Sequence, residues 1–155
     1  MGIFHSINTS GSGLTAQRLR MDVISSNIAN AETTRAQLNE NGEWEPYRRK
    51  LVSFEEKNAS FHSKLQNAIH SHSNHAGNSG NGVQVNEISE DEEPFKMVYN
   101  PNHPDANEDG YVAMPNVDPL QEMVDLMSTT RSYEANVTSM NASKDMLMKA
   151  LEIGK

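Results

Sequence analysis

Ile7, Leu14, Met21 and Ile28 recur at intervals of seven at the front of the chain, and Leu126, Tyr133, Met140 and Leu147 do the same at the back. Seven residues are close to two helical turns, so each quartet falls on one stripe of a long helix. Two such stripes predict helices that pack lengthwise along a shared seam. In the front helix, Ile3, Ile24 and Ala31 form a neighbouring row three positions further on, which Ser10 and Gln17 interrupt. Gly11 and Gly13 each cost about 1 kcal/mol relative to alanine inside a helix, so its first turns are expected to fray or bend unless something grips them. The asparagines and threonines between Asn27 and Thr34 compete for backbone groups and predict a stop near Asn30.

At the back, Asp118-Pro119 is a strong helix start. The carboxylate caps free N–H groups, proline suits the first helical position, and Gln121 stands where a capping-box partner would. From there the pattern runs without a breaker to about Ile153. Met123, Val137 and Leu151 widen its stripe, and Thr130 and Lys144 weaken it.

The texture changes between the two helices. Trp44, Tyr47, Leu51, Val52 and Phe54 predict one strand across 43–55, with aromatics to seed a small domain. Val83, Val85 and Ile88, then Phe95, Met97 and Tyr99, predict a second and a third strand on either side of the acidic turn at 89–94, making one three-stranded sheet. Serine, asparagine, histidine and glycine dominate 58–82, the composition of a flexible loop with room for a short helix at 60–69. Asn100-Pro101, His103-Pro104 and Asp109-Gly110 predict an extended, turn-rich connector to the last helix. The expected fold class is α+β: long N- and C-terminal helices paired as a coiled-coil-like bundle, with a small antiparallel β domain inserted between them. The expected division is a helical arm over 1–35, a β-rich middle over 36–117 and a second arm over 118–155.

Composition sharpens this picture. Only 35% of the 155 residues are apolar, so the core must be economical or shared. The net charge of −8 is concentrated in residues 36–118, which hold 6 basic against 14 acidic side chains, while the ends are near neutral. Near-neutral ends can lie against copies of themselves, and the acidic middle argues against nucleic acid as a partner. There is no cysteine, hence no disulfide or thiolate metal site. Neither a basic region followed by an apolar one at the start nor a run of about 18 apolar residues is present, so a cleaved signal or membrane anchor is not expected.

Candidate chemistry is thin. His70, His72 and His75 are spaced closely enough to ligate zinc or nickel, but no carboxylate stands near them and they lie in loop composition. His103 and Asp105 can be drawn as an acid–base pair, yet the prolines around them explain a turn and no nucleophile accompanies them. Glu90 to Glu93 lack calcium-loop spacing, and Arg48-Arg49-Lys50 is too short for a nucleic-acid surface. The residues therefore predict no catalytic, cofactor-binding or metal site and no small-molecule substrate. The stripes alone leave open an ordinary internal helix pair, a monomeric adaptor of an export system that grips one partner helix, and a subunit that gains its missing burial from neighbours. A His-dependent metal hydrolase on the middle sheet is the remaining alternative. Met123, Met127, Met140, Met146 and Met148 in the last helix supply adaptable packing suited to non-identical partners.

Ser26, Asn27, Ile28, Ala29, Asn30 and Thr33 resemble the S-N-N-I-A-N-x-x-T signature of bacterial flagellar rod and hook proteins. The segments 98–106, 110–112 and 115–119, with 131–137 and 149–154 of the last helix, are similar to the rod protein C family of the flagellar basal body. The chain lacks the Pro-Gly-Tyr that often follows the signature, and 58–81 matches no motif. The resemblance implies a non-enzymatic subunit of the proximal rod, the shaft that transmits torque. Its terminal helices would form an inner tubular layer, with Ile7, Leu14, Met21, Ile28, Leu126, Tyr133, Met140 and Leu147 as the assembly seam. It also implies export through the flagellar type III apparatus without a cleaved signal. The implied partners are other rod proteins, copies of itself and the hook–basal body junction protein at the rotor end.

Overall fold

The computed structural model describes residues 4–39, 42–57 and 82–153. Helix α1 spans His5–Ala29 and helix α2 spans Pro119–Ile153. Between them lie strands β1 (Gln37–Leu38), β2 (Trp44–Glu45), β3 (Lys50–Glu56), β4 (Val83–Glu90), β5 (Lys96–Tyr99) and β6 (Tyr111–Met114). The α+β class and both helices agree with the sequence pattern.

The caps explain where the helices begin and end. Asn30 stops α1: its side-chain amide and its N–H both donate to the Ser26 carbonyl, and the Thr33 hydroxyl donates to Asn30 Oδ1. Asp118 starts α2 by accepting the Leu120 N–H at 3.0 Å, so the carboxylate cap is realised as expected.

The strands depart from expectation in three ways. They form three separate two-stranded pairs, β1–β2, β3–β4 and β5–β6, and not one three-stranded sheet. The strand expected across 43–55 is two: β2 pairs antiparallel with β1, and β3 starts at Lys50 to pair with β4. Pro46, which has no N–H to give a ladder, stands between them. The connector expected after Tyr99 contains β6, which pairs antiparallel with β5 from Lys96 opposite Met114 to Tyr99 opposite Tyr111. Asn107 Oδ1 accepts the N–H groups of both Asp109 and Tyr111 and closes the hairpin loop. Gly110 follows at φ +80°, where a Cβ would stand 3.0 Å from the Tyr99 ring, so both conformation and space call for glycine there. The helix expected at 60–69 and the loop expected over 58–82 lie outside the described residues, apart from Gly82.

The chain folds as two compact units. The first draws on Met1–Arg18, Phe54–Asn86 and Ser132–Lys155. Among the described residues its buried positions are small or polar: Ser10, Gly13, Ala16 and Ser143. A Cβ at Gly13 would lie 3.2 Å from the Asn136 side chain, so this glycine, costly in an isolated helix, permits the two helices to approach closely. Ser12 links α1 to β4 by accepting the Val83 N–H at 3.1 Å. Ser10, which interrupts the apolar row in the sequence, is itself buried.

The second unit draws on Leu19–Ser53 and Glu87–Arg131. It buries Val23, Ile24, Tyr47, Val112 and Val117 together with four polar side chains, Asn27, Asn116, Glu122 and Thr129. Here the helices run antiparallel: Asn27 bonds to Glu122, while Met21, six residues earlier, meets Thr130, eight residues later.

Candidate functional site

Each polar group buried in the second unit needs a partner: Thr129 finds the Asp125 carbonyl within α2 at 2.7 Å, and the partners of Asn27, Asn116 and Glu122 converge on Arg49 and Lys50. Asn27, 1% exposed, faces Lys50 as a neighbouring strand would: its Oδ1 accepts the Lys50 N–H at 2.9 Å and its Nδ2 donates to the Lys50 carbonyl at 2.9 Å. Because that N–H can only donate and that carbonyl can only accept, the orientation of the amide is determined. The same Oδ1 accepts the Tyr47 hydroxyl at 3.0 Å, and the same Nδ2 donates to Glu122 Oε2 at 3.1 Å. Asn116 grips the adjacent residue, accepting the Arg49 N–H at 2.8 Å and donating to the carbonyls of Asp91 and Glu93. Two asparagines from distant parts of the chain thus hold the start of β3.

Charge gathers at the same place, one guanidinium against three carboxylates. The Glu122 carboxylate is 1% exposed and accepts from Arg49 Nε at 2.6 Å. The remaining guanidinium nitrogens reach Asp91 at 3.5 Å and Asp125 at 3.6 Å. Burial acts to lower the Arg49 pKa, but the hydrogen bond and charge of Glu122 and the charge of Asp91 outweigh it, and the guanidinium stands above its ordinary value. The basic triplet is occupied internally throughout: Arg48 lies 4.4 Å above the Phe95 ring and Lys50 Nζ lies 5.7 Å from the Tyr47 ring centre.

A second clamp joins the segment after α1 to the β5–β6 hairpin. The Thr34 hydroxyl donates to Asp105 Oδ2 at 2.8 Å, and Arg35 Nε donates to Asp105 Oδ1 at 2.6 Å, with a second guanidinium nitrogen closing on the same oxygen. His103 Nδ1 accepts the Asp105 N–H at 3.1 Å, which accounts for this pair as a loop fastening. The Arg35 and Thr34 hydrogen bonds hold the Asp105 carboxyl below its ordinary value. A carboxyl whose folded value is depressed stabilises the fold above its unfolded value, about 3.9, and loses that contribution as pH falls through the folded value. Asp105→Asn should therefore lower stability modestly at neutral pH and match the parent in strong acid, as read by urea denaturation across a pH series. A deficit that persists unchanged in acid would assign the effect to the lost shape of the clamp and not to its charge.

The surface carries the other distinctive feature. Leu120, Met123, Val124 and Met127 stand at helical positions i, i+3, i+4 and i+7 on α2 and are 48 to 70% exposed. That spacing makes one apolar face, and here the face points to solvent. Met146, Met148, Leu151 and Ile153 at the end of α2 are also exposed. The eight heptad positions, Ile7, Leu14, Met21, Ile28, Leu126, Tyr133, Met140 and Leu147, are all half-buried. Buried Glu122, Thr129 and Ser143 fall on a heptad row of their own, four residues ahead of Leu126, Tyr133 and Leu147.

Within the signature, Asn27 is the hub, Ser26 and Tyr47 share a hydroxyl contact at 3.3 Å, and Asn30 and Thr33 form the helix stop. Sequence reasoning singled out Asn27 and Asn30 as helix-stop residues but missed Glu122 and the Lys50 backbone as partners of Asn27, and Arg49 and Asn116 as the other members of the hub. Only a carboxylate four residues into an amphipathic helix offered a signal. Among the described residues no group of histidines and acids is placed to hold a metal, and His70, His72 and His75 lie outside them. No helix among the described residues is long and apolar enough to cross a membrane.

Two helices with an unpartnered apolar face, fastened to short strand pairs by a buried polar hub, define a subunit class, and comparison with known families identifies it as the flagellar rod class. Residues 7–37 match the family model described as flagella basal body rod protein, and residues 108–153 match that described as flagellar basal body rod FlgEFG protein C-terminal. The chain is 63% identical over 155 residues to the flagellar basal-body rod protein FlgC of Bacillus subtilis, with all of both chains covered. It is 43% identical to that of Borreliella burgdorferi, with 99% of this chain and 98% of the relative covered, and 37% identical over the whole of both chains to that of Escherichia coli. The chain belongs to the flagellar basal-body rod protein FlgC family.

Proposed function

We propose that this chain is a structural, non-enzymatic subunit of the flagellar basal-body rod, built into the shaft through its terminal helices. The observation that carries this reading is the solvent-facing stripe Leu120, Met123, Val124 and Met127. An apolar face this regular marks an interaction surface. Half-burial of the eight heptad side chains supports their role as a seam that neighbouring subunits complete. A shaft must resist twist, and lengthwise helix contacts repeated between subunits supply that stiffness. Other rod proteins and copies of itself are its neighbours, with the hook–basal body junction protein at the rotor end.

The test is complementation in Bacillus subtilis lacking the relative that is 63% identical. The parent chain should restore swimming, and the Met123→Glu, Met127→Glu double variant should not. Because both side chains are exposed, the isolated variant should unfold within about 0.5 kcal/mol of the parent. Full swimming with the double variant would remove the stripe from the assembly interface.

A further inference from the structure

Arg48 and Lys50 are half-buried cations with no carboxylate partner among the described residues. Acids are not in short supply, since residues 36–118 hold 14 of them against 6 bases. Withdrawing a charge from water without a counter-charge is costly, yet both of these charges line one open cavity of about 500 Å³. Arg49 is absent from that lining and reaches Glu122 instead, the alternation that extended backbone imposes on three successive residues. We propose that this cavity binds an acidic polypeptide segment in extended conformation, with carboxylates at alternate positions. None of the eight heptad side chains lines it, so the site goes beyond the helical seam.

Both cations are held in place before any ligand arrives. Asn27 fixes the Lys50 backbone through its N–H and its carbonyl, and Lys50 Nζ rests 5.7 Å from the centre of the Tyr47 ring, which is itself part of the lining. Arg48 stands 4.4 Å above the Phe95 ring. A ring face steadies a cation without neutralising it. The guanidinium and the ammonium still have N–H groups to donate to an acceptor. Donors ordered in this way lose little freedom on binding.

The rest of the lining sets the charge and the spacing of the ligand. Arg35 is answered by Asp105, which leaves Arg48 and Lys50 in one lining with Glu90, whose carboxylate accepts the Gln37 amide at 3.4 Å. Two cations against one acid favour an anion. Positions 48 and 50 are two steps of extended backbone apart, about 6.5 Å. A second extended chain repeats its side chains on one face at that same interval, so alternate carboxylates meet the two cations in register. Charge-assisted bonds from a guanidinium fork suit a carboxylate, and a cavity of this size accepts several side chains. A compact anion such as phosphate lacks the span.

The test is calorimetric titration of the full chain at low salt with four probes: the capped peptides Glu-Ser-Glu-Ser-Glu and Gln-Ser-Gln-Ser-Gln, citrate, and inorganic phosphate. The acidic peptide should bind with a Kd below about 1 mM, and the other three at least roughly tenfold more weakly. The Arg48→Gln, Lys50→Gln double variant should weaken the acidic peptide by roughly tenfold or more. The Arg18→Gln, Arg131→Gln double variant removes the same charge at two exposed positions outside the lining. It should change the affinity by less than about twofold, because screening confines the effect of distant charges. Glu90→Gln removes the one acid of the lining and should tighten the acidic peptide about threefold, a gain that a misfolded variant could not give. Citrate or phosphate binding as tightly as the acidic peptide would overturn the polypeptide ligand. No binding of the acidic peptide, equal binding of the glutamine peptide, or equal losses in the two double variants would overturn the site.

Discussion

Arg49→Ala should destabilise the isolated chain by roughly 3 kcal/mol, read as the shift in urea unfolding followed by helix circular dichroism. Removing one partner of a buried ion pair costs about 3 to 5 kcal/mol because the other charge stays buried and uncompensated. Glu122, 1% exposed, would be that charge. The low end of the range applies because the Arg49 side chain is 23% exposed and water can follow its removal. The loss is not confined to one pair, since Asp91 and Asp125 also face the guanidinium. Three carboxylates would be left to repel one another. Arg49→Lys should recover only part of the loss: an ammonium is a point charge and does not reproduce the fork that reaches Glu122, Asp91 and Asp125 together. A change below about 0.5 kcal/mol for Arg49→Ala, the level of an ordinary surface substitution, would show that the hub does not hold the second unit together.

Asn27 provides the second large effect and a sharper ordering. Asn27→Ala leaves the Tyr47 hydroxyl, both backbone groups of Lys50 and one Glu122 oxygen short of a partner. At 1 to 3 kcal/mol for each buried group left unsatisfied, and allowing for relaxation, the expected loss is roughly 3 kcal/mol. Asn27→Asp keeps size and shape yet should be worse at neutral pH. It places a carboxylate oxygen where Nδ2 now donates, 3.1 Å from Glu122 Oε2 and 2.9 Å from the Lys50 carbonyl. Like charges at that separation cannot both remain ionised at low cost. The aspartate variant should therefore regain stability as pH falls, because a proton on either carboxyl restores a donor, while the alanine variant should show no such recovery. An aspartate variant at least as stable as the alanine variant at pH 7 would mean that the Glu122 contact contributes little.

These two residues also show where sequence reading reaches its limit. Asn27 draws attention as a helix-stop residue because asparagine competes locally for backbone groups, and that reading needs only its neighbours. The side chain that actually stops the helix is Asn30. Asn27 turns inward, to partners 20, 23 and 95 residues away. Nothing in a one-dimensional pattern distinguishes the two roles. Burial of Glu122 was likewise illegible, because a charged residue on a helix reads as solvated until a matching arginine is placed beside it.

The strands repeat the lesson from the other side. Alternation in Val83, Val85 and Ile88 marked a strand, and β4 is there; alternation does not say which strand it pairs with. Three two-stranded pairs and one three-stranded sheet have the same local signature and differ only in long-range hydrogen bonds. The short β6 went unseen because four residues between a turn and a proline leave too little pattern to read.

The amino-acid sequence by itself determined the two long helices, their stops and starts, the strand-rich texture between them and the family. Each of these is written in neighbours a few residues apart: heptad spacing, an Asp-Pro start, an asparagine stop, contiguous motifs. The tertiary structure alone decided which face of each helix is buried, which polar groups form the hub, how the strands pair and which apolar stripe is left facing water. Those outcomes depend on side chains brought together across as many as 95 residues. Their free energy comes from desolvation and from hydrogen bonds completed only when distant segments meet, so it has no local trace in the chain.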